Sequence, residues 1–534
     1  MAHKRRQSGK NLMTNIESKT NSISRREIFA LGFSAVLASN INPLRAVASF
    51  AAQRPGQKHA GDQGDGTYLN PIVGGDHPDA GAIRVGEDFY ITHTSFSYTP
   101  GLVIMTSKDL VNWRIAGCAL NRFYGEIWAP FLCEHAGHFY IYYPRSGHLE
   151  VVHAPHPLGP WSEPVALGID GIDPGHLATP EGRRFLYIAG GSLVELAKDG
   201  LSVITSPRKV FSPWPIPEDW QVECECLEAP KPIYRNGYFY LNVAEGGTSG
   251  PPTSHMVVSA RSRNVDGPWE YSPYNPIVHT WKREDRWWST GHGRLVDDAK
   301  GGWWITFHAY ENGYRTLGRS TLLLPVEWTP DEWFRVPKGV TAASKLALPP
   351  GQHERIQRFQ GDDFTSPTLG LHWQFWKGYD PNRFKTGDGQ LILKGVGASL
   401  NDSPVMTVSA ADHSYVIEVD VEVAGNCEAG VLLFYDEGHS MGLRIGPHGL
   451  GVHRQGDVQK AVTRGTLRIA NRDQVIDFYY KLEGGQWVKL RDSVDASCYQ
   501  QNILGGFHDL RPALFAFGEG YATFRSFRYL TEFS

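Results

Sequence analysis

A strand signal that recurs five times between residues 80 and 345 constrains this chain more than any other feature. Each copy is a glycine turn followed by an aromatic-rich β run: Gly86-Glu87-Asp88-Phe89-Tyr90-Ile91, Gly137-His138-Phe139-Tyr140-Ile141, Gly182-Arg183-Arg184-Phe185-Leu186, Gly237-Tyr238-Phe239-Tyr240-Leu241 and Gly302-Trp303-Trp304-Ile305. The copies are spaced by about 45 to 65 residues, the length of one four-stranded propeller blade with variable loops. Most are followed by a second turn ending in tryptophan, at Trp113, Trp161, Trp269 and Trp333, whereas the third keeps only Lys198-Asp199-Gly200. A blade leaves an apolar face that only another blade can cover, so the repeats fit a closed ring better than an up-and-down sandwich. The predicted fold is all-β, with a five-bladed β-propeller over residues 66–350.

The repeat stops after Pro349-Pro350-Gly351, and a chain of 534 residues has room for a second core. From Asp362-Asp363-Phe364 onward, alternating runs such as Tyr415-Val416-Ile417-Glu418-Val419-Asp420-Val421 predict a β-sandwich over residues 360–534, with the boundary near residue 355. At the other end, Ser24-Arg25-Arg26-Glu27-Ile28-Phe29 opens an apolar stretch to about Ala38, too short to span a bilayer, and Ala46-Val47-Ala48 offers a small-x-small cleavage pattern. This leader, residues 1–48, resembles a twin-arginine signal peptide, which implies a periplasmic or secreted protein without membrane insertion. The formal net charge of -4, with no basic run in the body, leaves no footprint for nucleic acid or an anionic membrane surface. The expected partner is a carbohydrate, whose apolar faces suit the 12% of aromatic residues; the oligomeric state is not readable. The six cysteines are read as buried or partly buried free thiols. Cys224 and Cys226, two apart, would share one face of a strand, but no second Cys/His pair stands at zinc spacing.

Three acids stand in turns that lead into a blade's aromatic run. Asp79 lies in His77-Pro78-Asp79-Ala80 before the first, Asp173 in Gly171-Ile172-Asp173-Pro174-Gly175 before the third, and Glu228 in Cys226-Leu227-Glu228-Ala229-Pro230 before the fourth. A propeller carries such equivalent positions to one mouth of its axis. Hydrolysis of a glycoside by inversion needs one carboxylate to activate water and one protonated carboxyl to serve the leaving oxygen. Acids held close together disfavour double ionisation, the ordinary way such a site keeps a proton near neutrality.

These segments resemble glycoside hydrolase family 43, the β-xylosidase and α-L-arabinofuranosidase family of five-bladed propellers, over about residues 68 to 345. The following region is similar to the concanavalin-like β-sandwich that trails many family β-xylosidases. The resemblance implies Asp79 as general base, Asp173 as the acid that tunes and orients, and Glu228 as general acid, in an inverting removal of terminal xylose or arabinofuranose. Ala80 stands where the family usually has Pro, and Ala229 where it usually has Gly. The resemblance further implies sugar contacts from His77, Phe96, Trp128 and Arg319, the two aromatics by stacking. It requires no cofactor for the chemistry, but at His292, in Thr290-Gly291-His292-Gly293, it leaves room for a structural calcium ion on the axis.

Two other functions fit the same outline. A retaining, invertase-like glycosidase shares the propeller, and Glu225-Cys226 and Asp173-Pro174 faintly echo its motifs, but the Trp-Met-Asn-Asp-Pro opening of that group is missing. A non-catalytic, lectin-like carbohydrate-binding propeller has no need of a base and an acid in register. The aromatic segments Trp214 to Trp220 and Trp281 to Trp288 read as walls at the rim of the axis, which favours a closed pocket and attack on chain ends.

Overall fold

The computed structural model describes residues 61–399, 401–453, 456–459 and 461–531. The leader read at residues 1–48 lies outside the described residues. Five antiparallel sheets follow one another along the chain, each opening with the strand nearest the axis. The first blade is Ile83–Val85, Asp88–Thr92, Gly101–Ser107 and Arg114–Leu120; the second is Phe131–His135, His138–Arg145, His148–Ala154 and Val165–Asp170. Gly175–Ala178, Arg184–Ile188, Ser192–Leu196 and Arg208–Lys209 form the third. The fourth is Glu228–Arg235, Tyr238–Glu245, Met256–Ser262 and Glu270–Tyr271, with Val278–His279 added beside Met256–Ser262. Trp287–Asp297, Trp303–Glu311, Arg319–Trp328 and Phe334–Arg335 form the fifth.

The glycine turns of the repeat do what the sequence asks of them. Ala136-Gly137 and Asn236-Gly237 have φ values of 53° and 76° and of 50° and 78°, the doubly left-handed backbone of the two-residue hairpin turn that matches strand twist. The aromatic runs behind them are buried between neighbouring blades: Ile141 and Tyr143 pack toward the first blade, Tyr142 and Val151 toward the third. The ring is tied shut twice. Ile72 N–H donates to Thr321 O at 3.0 Å on the fifth blade, and Thr67–Leu69 pairs with Leu346–Ala347.

The second domain is a concanavalin-like sandwich dominated by two long strands, Ser414–Phe434 and Arg511–Leu530, which pair along their whole length. Their inward residues, among them Ile417, Val431, Leu433, Leu514 and Phe524, fill one core. The seam between the domains is itself β structure. Tyr98–Thr99, from the loop after the first blade's second strand, pairs with Gln374–Trp376 as the edge of the sandwich sheet. Leu317, in the fifth blade's mouth turn, is buried in the sandwich core.

One expectation fails. Cys224 and Cys226 form a disulfide rather than two free thiols, with a Cα–Cα distance of 5.2 Å. They do not lie on a strand: Cys226 has a φ of 39°, and that left-handed residue curls the segment so that the two sulfurs meet. Cys118, Cys133 and Cys427 are free and at least partly buried, while Cys498 is free but exposed.

Candidate active site

The three acids arrive at the mouth from three blades, and two of them arrive on an unusual backbone. Asp79 has a φ of 62° and Asp173 a φ of 52°, both left-handed, in the turns that precede their inner strands. Glu228 is the first residue of its own. Left-handed non-glycine residues gather at sites where the surroundings hold them in place. Here one of the holding contacts is visible: Ala229 N–H donates to Asp173 Oδ2 at 3.0 Å. Ala229 itself has a φ of 50°, which explains why a glycine suits this position.

A single imidazole joins the acids. His292 Nδ1 lies 3.3 Å from Asp79 Oδ1, while its Nε2 lies 3.5 Å from Glu228 Oε1 and 3.8 Å from Asp173 Oδ2. Asp79 and Glu228 therefore face each other across one ring, a span compatible with the ~6.5–9.5 Å that inverting glycosidases leave for the attacking water. Asp173 and Glu228 each present an oxygen within 4.8 Å of the other and of a His292 nitrogen.

Electrostatics separate the acids. Burial pushes the Asp79 carboxyl up, but Arg319, His292 and His308 outweigh it and hold the group well below the usual carboxylate range. Arg319 Nη1 and His308 Nδ1 lie 3.1 and 3.0 Å from Asp79 Oδ1, and the Thr94 hydroxyl donates to Oδ2 at 2.5 Å. Asp173 goes the other way, to about 6: burial raises it most and His292 lowers it, but Glu228 and Asp79 raise it again. Burial alone would depress His292, yet the charges of Asp79, Asp173 and Glu228 raise it. The site thus pairs a carboxylate held low, Asp79, with an imidazole raised by its acidic neighbours and, beside Glu228, a carboxyl raised to about 6. Glu228 is the most open of the three acids, with 22% of its side chain exposed.

Arg319, read from the sequence as a sugar contact, is buried with its guanidinium on Asp79. Phe96 is buried, has a φ of 47° and packs edge-on against His508 at 5.5 Å. Trp128 is half-buried just ahead of the second blade's inner strand, bridged to Phe96 through its neighbour Ile127. His77 does not join the carboxylates. Its Nδ1 lies 3.0 Å from Gly74 O, its ring meets His93 edge-on at 5.1 Å, and it lines a cavity of about 540 Å³ in the seam behind the base, together with Thr94, Val408 and Arg511. The calcium expected at His292 does not fit either. Among the described residues two donor sets are compact enough for an ion, His255 with His292 and His308, and Asp173 with Glu228 and His292. Calcium takes six to eight oxygens at about 2.3–2.6 Å, whereas the first set is all nitrogen and the second offers two carboxylates and an imidazole nitrogen.

Several residues of the site carry no local sequence signal. His255 Nε2 lies 3.7 Å from Glu228 Oε1, and His308 buttresses Asp79; both belong to inner regions of blades four and five. The sandwich supplies the rest. Phe507 lies under the Arg319 guanidinium, 5.0 Å from carbon to ring centre, and His508 covers Phe96. Beside them Asn502 donates to Ser249 O at 2.6 Å and accepts from Arg315. Deeper in the seam, Arg511 donates to Asp509 at 2.6 Å, and Asp76 accepts the Arg319 backbone N–H at 2.9 Å. Burial and the nearby Asp509 push Asp76 up to about 7 against the pull of Arg319 and Arg511.

Comparison with known proteins agrees with this geometry. Residues 68–334 match the family described as Glycosyl hydrolases family 43, and residues 361–530 match the Beta xylosidase C-terminal Concanavalin A-like domain. A non-reducing end α-L-arabinofuranosidase of Bacteroides ovatus is 31% identical over 450 residues, 77% of this chain and 80% of that protein. A xylan 1,3-β-xylosidase of a Vibrio species is 26% identical over 502 residues, 81% of this chain and 92% of that one. Among solved structures, a GH43 protein of Bacillus licheniformis superposes with a TM-score of 0.79 at 28% identity, covering 87% of this chain and 100% of its own.

Proposed function

Because this chain belongs to glycosyl hydrolases family 43, we propose that it is an inverting glycosidase that removes terminal pentose, β-D-xylose or α-L-arabinofuranose, from plant-type poly- or oligosaccharides. Asp79, ionised by its cationic neighbours, takes a proton from a water that attacks the anomeric carbon. Glu228 gives its proton to the departing oxygen from the opposite side. Asp173 and His292 tune the charge between them: His292 lowers the Asp79 carboxyl, while Asp173, raised to about 6, stands beside Glu228. Arg319 orients the base and presents donors to the sugar. No metal is needed for any of these steps. The observation that carries the reading is His292 in contact with all three acids at once.

Action at chain ends is supported by the sandwich loop around Phe507 and His508, which walls the mouth beside Arg319 and Phe96. The leader read at residues 1–48 supports action outside the cytoplasm, in the periplasm or the medium. The test is turnover of 4-nitrophenyl β-D-xyloside and 4-nitrophenyl α-L-arabinofuranoside, with the anomeric proton of the product followed by NMR. The expected result is an inverted sugar, with turnover reduced by about 10²–10⁴ in Glu228→Ala, the range for loss of a general acid. A retained anomer would remove the base role from Asp79.

A further inference from the structure

An aromatic cluster stands at the mouth of blade four, outside the catalytic centre. Trp220 and His279 stack face to face at 4.6 Å and 2°, and Trp281 stands edge-on to both, at 5.8 and 4.8 Å. Trp214 flanks Trp220 at 6.2 Å. Trp281 is 61% exposed, the most exposed of the large apolar side chains described. Single exposed apolar residues need no explanation, but this one is held in place. Asp285 Oδ2 accepts the backbone N–H groups of both Trp281 and Lys282 at 3.0 Å. The same turn is pinned from below, where Trp288 Nε1 donates to Arg283 O at 3.0 Å and Asn312 Nδ2 donates to Arg283 O and Asp285 O at 3.2 and 3.1 Å. The ring is presented to solvent on a rigid support, the arrangement of a preorganised contact.

Strand register connects this cluster to the acid. Glu228 pairs with Ala244, Ala244 with Val257, and Val257 with Val278, next to His279. The row runs straight across the mouth end of blade four. Three steps between strands at about 4.8 Å place its outer end roughly 14 Å from Glu228, too far for the sugar being cleaved and within reach of a short chain attached to it. Direction follows from chemistry. The general acid sits on the side of the leaving oxygen, so the remainder of the glycan departs over the blade that carries Glu228. Aromatic faces receive the C–H faces of neutral sugars.

We infer that Trp220, His279 and Trp281 form a binding platform for the leaving-group side of the glycan, a neutral pentose chain several units beyond the bond that is cut. The inference rests on the proposed function for the direction of the chain, and the test separates the two. Full-length protein and Trp281→Ala are compared on the two nitrophenyl glycosides and on xylohexaose and arabinohexaose. The expected result is a roughly ten-fold lower kcat/KM on one hexaose, carried by KM. Turnover of the nitrophenyl glycosides stays unchanged, and Trp281→Phe recovers most of the loss. The two hexaoses tell a xylan-type chain from an arabinan-type one. Equal effects on short and long substrates, or none on either hexaose, overturn the platform.

Binding of each hexaose to Glu228→Gln, measured by isothermal titration with and without Trp281→Ala, tests the platform independently of turnover. Absence of all pentoside hydrolysis sinks the proposed function, while hexaose binding that vanishes with Trp281 still upholds the platform. Binding that is absent, or indifferent to Trp281, overturns it. So does a shift from dimer to monomer in Trp281→Ala with hexaose binding intact, which would assign the ring to a second copy of the chain.

Discussion

At the residue scale, one histidine orders the whole site, and its consequences can be read in the pH dependence. Asp79 is held well below the ordinary range, so its ionised form persists into acid. Asp173 is raised to about 6 and shares its surroundings with Glu228. The proton on Asp173 is lost as pH passes about 6, and a further negative charge then stands beside the acid. The expected profile of kcat/KM is flat on the acid side below the usual carboxylate range and falls on the alkaline side as pH passes about 6. In Asp173→Asn the limb near pH 6 is expected to disappear from the profile of kcat/KM, because the amide has no proton to lose, while the acid side stays where it was. The sign for stability is the same for Asp173. Its contribution is full below its unfolded value of 3.8 and is lost as pH rises through about 6. Asp79, Asp173 and Glu228 were legible in the sequence because each sits in a distinctive segment that leads into a blade, whereas Arg319 and His292 were reached only through the family resemblance, as a sugar contact and a calcium site. His255 and His308 were not legible, since a histidine in or beside a buried strand looks the same whether it faces a carboxylate or a core. His77 misled for the opposite reason: its neighbours in sequence belong to the site, but its side chain turns to the seam.

At the scale of elements, the segment from Gln501 to Leu510 matters most. It is anchored on the propeller by Asn502 at Ser249 and by Leu510 N–H, which donates to Thr316 O at 2.8 Å, and between these anchors it delivers Phe507 to Arg319. Phe507→Ala removes the surface on which the guanidinium rests, and with it the wall nearest the sugar. We expect KM for the nitrophenyl pentosides to rise by about ten-fold with a smaller fall in kcat, checked by steady-state kinetics, because packing lost in both ground and transition states acts mainly on binding. No periodicity could have announced this contact. The segment is a single helical turn, Gln501–Leu504, followed by an irregular stretch, far along the chain from the arginine it supports, and only the closed fold brings the two together. The Cys224–Cys226 pair was opaque for a similar reason: an alternating reading assumes a strand, and one left-handed residue cancels it.

At the scale of the molecule, two domains that look separate in sequence behave as one body. The fold class was legible, since blade repeats and alternating strands announce their own architecture. The seam was not. Tyr98–Thr99 gives the sandwich sheet an edge, Leu317 enters the sandwich core, and Arg511 lies 3.7 Å from the centre of the Tyr98 ring while binding Asp509. Neither half can unfold without stripping apolar surface from the other. Calorimetry of the full chain is expected to show one transition with matching van't Hoff and calorimetric enthalpies; two resolved transitions would mean that the seam contributes little.

The way the ring is tied has a consequence for how the chain must be made. Thr67 waits for Ala347, and Trp376 in turn closes on Tyr98 from the first blade. A ribosome that has delivered four blades has delivered a row of uncovered strand edges, with the partner of the first strand still unmade. The last sandwich strand, Arg511–Leu530, pairs with a strand begun far earlier in the chain, Ser414–Phe434, so the second core also waits for the end of synthesis. Contacts of such long range form late and slowly. Neither core of such a chain is complete until its last strand has been delivered.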